Sequence, residues 1–340
     1  MLRYLLVLVL AVPGTTRAQD TDLTETDLTE WERVEAGKDT GCAFGTPYSF
    51  FYHPGTDTSR LLIYFQGGGA CWGWVSCSGM FDTSVERDEL REFRGVFDFS
   101  NPANPFRDYA VLFIPYCTGD IHIGAAKVNY SEDVGARPVT HCGARNVERA
   151  LDWVSDRDDR PARVVVAGAS AGAYGAVFHA PRIAARYPTA AIVTIGDSGV
   201  PLLHSYEEIL ERWGAGSVLR PFWGGDAPLT LERAYREAAA PPNMEVVAPI
   251  TSNHDAVQSA FYLISGSPSW REQTYGLLNH LEREVPSVRS FVVGGVDHGL
   301  MRGDAFYEYA AGGPRLADWV ARLVSGEPVP SVRCDECSIQ

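Results

Sequence analysis

An α/β fold with a mainly parallel central sheet, helices on both faces and a small helical insertion is predicted by three observations. Short apolar runs rich in β-branched and aromatic residues recur along the chain. Helical patterns fall between them, and a Gly-x-Ser-x-Gly turn joins one such run to one such helix. Strands that alternate with helices need crossover connections, which cover both faces of a sheet.

In chain order, residues 1–18 read as a secretory signal peptide, with one early charge at Arg3, an apolar stretch from Tyr4 to Val12 and a Thr-Arg-Ala end; cleavage is expected after Ala18. The apolar stretch is too short to span a bilayer, and no later segment approaches the roughly 20 apolar residues that a transmembrane helix needs. Residues 19–40 carry a direct duplication, TDLTE at 21–25 and again at 26–30, and are expected to form an acidic, disordered leader. The folded unit is expected over 41–326.

Within it, Leu61 to Phe65, Ala110 to Pro115, Arg163 to Ala167, Ala190 to Ile195 and Ser290 to Val293 read as buried strands bounded by Gly or Pro. Helices are predicted at Gly143 to Ser155, Ala171 to Arg186 and Arg315 to Val324. In the last of these, Leu316, Trp319, Val320 and Leu323 share a face. The rhythm breaks at about 200–245, where helical pieces are separated by Gly- and Pro-containing turns, as expected of a cap insertion. Residues 327–340 form a tail.

Seven cysteines in an exported chain predict disulfides with one sulfur left over. Cys71 with Cys77 is the pair expected and Cys117 with Cys142 a second; the sequence does not fix the connectivity. Cys334 and Cys337 form a lone C-x-x-C, and zinc would need four suitably spaced ligands, so no metal is expected. Removing Arg3 and Arg17 with the signal peptide takes the formal charge from −14 to −16. That disfavours nucleic acid, an anionic membrane or a strongly polyanionic substrate as partner. Oligomeric state is not legible.

The chemistry centres on Gly168-Ala169-Ser170-Ala171-Gly172, placed between a predicted strand and a predicted helix. So tight a turn needs small neighbours and projects Ser170 ahead of a helix N-terminus, which favours negative charge on a tetrahedral intermediate. A glycine-rich turn without chemistry, or one binding phosphate, is the alternative. A serine nucleophile needs a base and an orienting acid, in the chain order Ser, acid, His. Of the histidines beyond the helix, namely His204, His254, His280 and His298, the last directly follows the strand SFVVGG and is the expected base. Asp197 and Asp255 both follow elements between serine and histidine, and patterning alone does not separate them. Gly67, Gly68 and Gly69 end an early strand, where side-chain-free backbone would bring N–H groups to the oxyanion together with the N–H of Ala171. Trp72 and Trp74 would line an acyl pocket or stack on a sugar; simple packing over the loop is the alternative.

An ordered set of motifs resembles the pectin acetylesterase and Notum family of secreted serine hydrolases. It comprises QGGGACW with a second cysteine six residues on, PYCTGD at 115–120, GASAG at 168–172, GDSG at 196–199, HDAVQ at 254–258 and DHGLM at 297–301. The similarity runs from about Cys42 to about Gly326. It implies an α/β-hydrolase fold, a Ser-Asp-His triad without cofactor, and carboxylester hydrolysis through an acyl-enzyme. It also selects Asp255, whose D-x-x-Q pattern with Gln258 matches the family's catalytic aspartate, and makes Asp197 structural. The first family loop often reads Gly-Gly-Gly-Trp-Cys, whereas here Ala70 precedes Cys71 and the tryptophan follows, which moves the aromatic lid. The expected substrate is a short O-acyl ester, such as an O-acetyl group on a carbohydrate. A longer-chain deacylase and a non-catalytic exported binding protein are the rivals.

Overall fold

The computed structural model describes residues 31–86, 90, 94–130, 137–157, 160–200, 206–267 and 269–334. The expected signal peptide and the TDLTE duplication lie outside the described residues. The strands in chain order are β1 (Glu32–Glu35), β2 (Ser49–His53), β3 (Asp57–Phe65), β4 (Tyr109–Ile114), β5 (Ala126–Val128), β6 (Val139–His141), β7 (Arg163–Ala169), β8 (Ala191–Asp197), β9 (Met244–Ser252), β10 (Phe291–Val293) and β11 (Val332–Arg333). The helices are α1 (Trp74–Cys77), α2 (Gly143–Ser155), α3 (Ala171–Arg186), α4 (Tyr206–Arg212), α5 (Ala215–Trp223), α6 (Leu231–Ala239), α7 (Ala256–Ile264), α8 (Trp270–Glu284) and α9 (Leu316–Val324).

Nine strands form one sheet in the order β1-β2-β4-β3-β7-β8-β9-β10-β11. Only the β1 and β2 pairings are antiparallel; from β4 onward every neighbour is parallel. Because successive side chains of a strand point to opposite faces, β3 feeds two cores. Leu61, Ile63 and Phe65 join Val147, Leu151 and Val177 on one side. Leu62 and Tyr64 join Trp319, Val320 and Leu323 on the other. Burial on both faces is why these strands read as unbroken apolar runs and not as alternating ones.

Three expectations need correction. The leader was expected to reach residue 40, yet Glu32–Glu35 pairs with β2 and Trp31 is buried against His53 and Phe97, because an aromatic anchor holds this charged edge strand down. The region expected as a cap is partly core: α6 packs against α3 and β9 as the crossover helix between β8 and β9, while α4 lends Tyr206 and Ile209 to the site wall and α5 packs on α4 and α3. Cys117 pairs with Cys42 and not with Cys142, which is left as a free thiol donating to the Gly41 carbonyl at 3.1 Å. Cys71–Cys77 forms as expected, and Cys334 is also disulfide-bonded.

The Cys42–Cys117 bridge closes a loop 75 residues apart in sequence. On chain-entropy grounds, Cys42→Ser with Cys117→Ser should lower unfolding free energy by about 4 kcal/mol, measured by denaturant titration. Burial pushes the Cys142 thiol up to about 12. Iodoacetamide at pH 8 should therefore leave Cys142 unmodified in the native protein and alkylate it after denaturation without reductant, as read by peptide mass mapping.

Candidate active site

The C-terminal ends of β3, β7, β8, β9 and β10 lie side by side, and each delivers one part of the site, as expected of an open parallel sheet. Ser170 follows β7 as the N-cap of α3 with φ 56° and ψ −122°, a left-hand-side conformation unusual for a non-glycine residue. Its N–H donates to Asp197 O at 2.8 Å, fixing the turn against β8. The turn admits no larger neighbours. A Cβ on Gly168 would lie 2.7 Å from Phe65 O, and one on Gly172 would overlap that same carbonyl.

Asp255 caps α7 from the end of β9. Its Oδ1 accepts from Gln258 N at 2.9 Å and its Oδ2 from Gln258 Nε2 at 3.0 Å, so a fully buried carboxylate is held by its own helix. His298 Nδ1 lies 2.8 Å from the same Oδ2. A carboxylate can only accept, so Nδ1 carries the proton and Nε2 presents a lone pair. Nε2 is buried without a hydrogen-bond partner, and His298 and Ser170 line the same pocket.

Asp197 stands apart from this pair. Its carboxylate accepts from Ser198 Oγ at 2.9 Å, Leu300 N at 3.0 Å and Met301 N at 2.8 Å, and Ser198 Oγ in turn accepts from Gly299 N at 2.9 Å. It therefore anchors the loop that carries His298. Burial raises its pKa, an effect the three donors and the nearby Arg302 oppose.

The glycine loop reaches Ser170 from β3. A Cβ on Gly67 would lie 2.6 Å from Ala169 O and 2.9 Å from Ser170 Cβ. Gly69 faces Phe81 in a narrow antiparallel pair flanked by Ala70 N to Met80 O at 3.2 Å and Asp82 N to Gly68 O at 2.9 Å. In such a pair the N–H of Gly69 points away from its strand partner. Among the described residues, the N–H groups of Gly67, Gly68, Gly69 and Ala171 have no acceptor. The Cys71–Cys77 bridge and the bond from Trp213 Nε1 to Cys71 O at 2.8 Å hold the far end of the loop.

Two cavities meet at Ser170 and His298. One, of about 70 Å³, is walled mainly by apolar side chains, among them Trp72, Ile121, Ile209, Trp213, Phe261 and Tyr262. The other, of about 350 Å³, is a more polar cleft between Gln66, the three glycines, Asp82 and Arg302, with Val257 and Phe261 on its apolar side. Of the two expected tryptophans, Trp72 reaches the apolar pocket and packs near Phe261. Trp74 lies outside both cavities, 61% exposed at the start of α1, because that helix turns its side chain to solvent. The remaining pocket residues come from α3, α4, α7 and the loop after β4, with no common motif in sequence to mark them.

A family model for pectinacetylesterase matches residues 24–207. The chain belongs to the pectinacetylesterase family. The matched part of this pectinacetylesterase-family chain includes the glycine loop and Ser170 and ends before Asp255 and His298. The human palmitoleoyl-protein carboxylesterase NOTUM is 25% identical over 171 residues, covering 46% of this chain and 34% of that protein. The Xenopus laevis palmitoleoyl-protein carboxylesterase notum2 is 24% identical over 152 residues, covering 42% and 30%. The chain thus spans about a third of the length of these curated relatives.

Replacing Asp197 by Asn puts an amide donor against main-chain donors that now meet a carboxylate. Asp197→Asn is expected to cost about 1–3 kcal/mol of stability, read by denaturant titration, with Ser198→Ala costing less.

Proposed function

We propose that this protein is a serine carboxylesterase that removes acetyl or another short acyl group from a hydroxyl of a polar, carbohydrate-like alcohol. The observation that carries the reading is the meeting of a small apolar pocket and a larger polar cleft at Ser170 and His298. An ester has one apolar side and, when the alcohol is a sugar, one polar side. At roughly 10–15 Å³ per water-sized site, the apolar pocket has room for about five waters, which suits an acyl group of a few carbons.

In the proposed reaction, His298 Nε2 takes the proton of Ser170 Oγ as the oxygen attacks the ester carbonyl carbon. Asp255 holds the imidazole in the required tautomer and stabilises the imidazolium. The N–H groups of Gly67, Gly69 and Ala171 receive the oxyanion, with the N-terminus of α3 behind them. The imidazolium returns its proton to the departing alkoxide, the alcohol leaves through the polar cleft, and water repeats the sequence to release the acid. No cofactor is required. The formal net charge of −14 speaks against a highly charged polyanion as the alcohol. The signal-peptide pattern of residues 1–18 and the disulfides support an exported protein; no helix among the described residues is long and apolar enough to cross a membrane.

A second reading, deacylation of longer chains, draws on the names of the relatives and on the aromatic pocket wall. A chain-length series of p-nitrophenyl acetate, butyrate and octanoate decides between the two. Acetate or butyrate should be cleaved with the highest kcat/KM, and Ser170→Ala should reduce kcat by roughly 10³-fold or more. Octanoate as the best substrate would favour the long-chain reading; equal rates for wild type and Ser170→Ala would end the serine-esterase assignment. Ile209→Ala, which enlarges the pocket wall, is expected to move the preference toward octanoate by a few-fold.

A further inference from the structure

Behind the glycine loop lies a buried histidine that the proposed reaction does not use. His122, on the loop after β4, is bound through Nε2 to Gln66 O at 2.8 Å. A carbonyl oxygen only accepts, so Nε2 carries the proton. Full burial lowers the pKa of the ring to about 3, which keeps it neutral. The peptide that follows Gln66 is planar and trans, so the Gly67 N–H points opposite to the carbonyl that His122 holds. That N–H has no acceptor among the described residues, and Gly67 lies against Ser170.

The ring cannot easily move. Phe65 meets it edge-on at 5.2 Å and Tyr116 at 4.8 Å, and a Cβ on Gly175 of the nucleophile helix would come within 2.9 Å of its Cδ2. His179 Nε2 donates to His122 O at 2.8 Å. The backbone supplies a second, independent sign. Ile121 and His122 have φ of 48° and 67°, adjacent left-handed conformations in two non-glycine residues, one of them β-branched. They are held there by Tyr116 Oη accepting from Ile121 N at 2.9 Å and Asp120 Oδ1 accepting from His122 N at 3.1 Å. Strain of this kind persists where the surroundings over-determine it, commonly beside a functional site.

We infer that His122 is a positioning residue for the oxyanion, its Nε2–H fixing the Gln66–Gly67 peptide plane so that Gly67 N–H faces the ester oxygen activated by Ser170. The inference rests on the serine-esterase reading above. It assigns to His122 a contribution to the transition state and none to ground-state binding. Loss of the donor frees the peptide to rotate and weakens one oxyanion contact, so kcat falls while KM stays.

The test compares the full chain with His122→Phe, which keeps a ring and loses the donor, and His122→Gln, whose Nε2–H reaches a similar point. Steady-state hydrolysis of p-nitrophenyl acetate and the melting temperature are measured for each. His122→Phe is expected to lower kcat about 10–100-fold with KM within about twofold, and His122→Gln to recover most of the loss. If the phenylalanine variant does not fold, His122→Asn replaces it, since the shorter amide falls short of Gln66 O. A donor-free variant with wild-type kcat would overturn the inference. So would Gln and Phe variants equally slowed at equal melting temperature. An inactive wild-type protein would instead sink the esterase reading, and this inference with it.

Discussion

The site depends on how closely the start of α3 approaches the end of β3. Gly168 and Gly172 have no space for a side chain because Phe65 O lies against both, and Gly67 is similarly confined by Ala169 O and Ser170 Cβ. With three residues reduced to backbone, two chain segments come within contact distance. The left-hand conformation of Ser170 follows from the same crowding, since the chain must turn from strand to helix within one residue. A methyl group at any of these glycines would separate the segments, and the local arrangement of donors would be lost before any charged residue had changed.

A second consequence is that the loops after β8, β9 and β10 must be tied to one another, since the turn itself offers them little to hold. Asp197 and Asp255 divide that task. Both are buried carboxylates at the end of central strands, and a buried carboxylate is tolerated only when its lone pairs are filled. Asp197 accepts from Ser198 and from the main chain of Leu300 and Met301, so it is committed to the loop and not to an imidazole. Asp255 is filled by Gln258 and has one direction left, occupied by His298. The first aspartate sets the position of the histidine loop, and the second sets the orientation of the ring it carries.

Much of this was legible in the sequence because the residues concerned are locally constrained. GASAG between an apolar run and a helix, the glycine triplet at the end of β3 and a histidine just after β10 each announce a position in the fold by their immediate neighbours. The acid did not, for a physical reason: β9 contains Pro249, and a proline inside a central strand argues against reading it as one. Here Pro249 sits opposite Gly196 in a parallel ladder, in a strand whose neighbours on both sides still pair. Both aspartates follow elements between serine and histidine, β9 does not read as a strand, and only the resemblance separates Asp255 from Asp197. The pocket wall was illegible for a different reason. Ile121, Ile209 with Trp213, and Phe261 come from three separate segments, and each residue alone looks like an ordinary core residue.

The two cavities also give the proposed reaction a direction. Ser170 lines both cavities, so on the proposed reading an ester would place its acyl chain in the apolar pocket and its alcohol in the larger cleft. Reversing the ester would bury hydroxyl groups against Trp72, Phe261 and Ile209 without hydrogen-bond partners, at a cost of about 1–3 kcal/mol for each one. On the proposed reading, desolvation would favour one orientation of a sugar bearing several hydroxyls. The oxyanion donors can then sit on the glycine side, where Gly67 and Gly69 face the cleft. In the proposed reaction the apolar wall would select the acyl end and the glycine loop would receive the charge, so selection and stabilisation would fall to different segments of the chain. Substitutions in the wall can therefore change acyl preference while the machinery around Ser170 stays as it is.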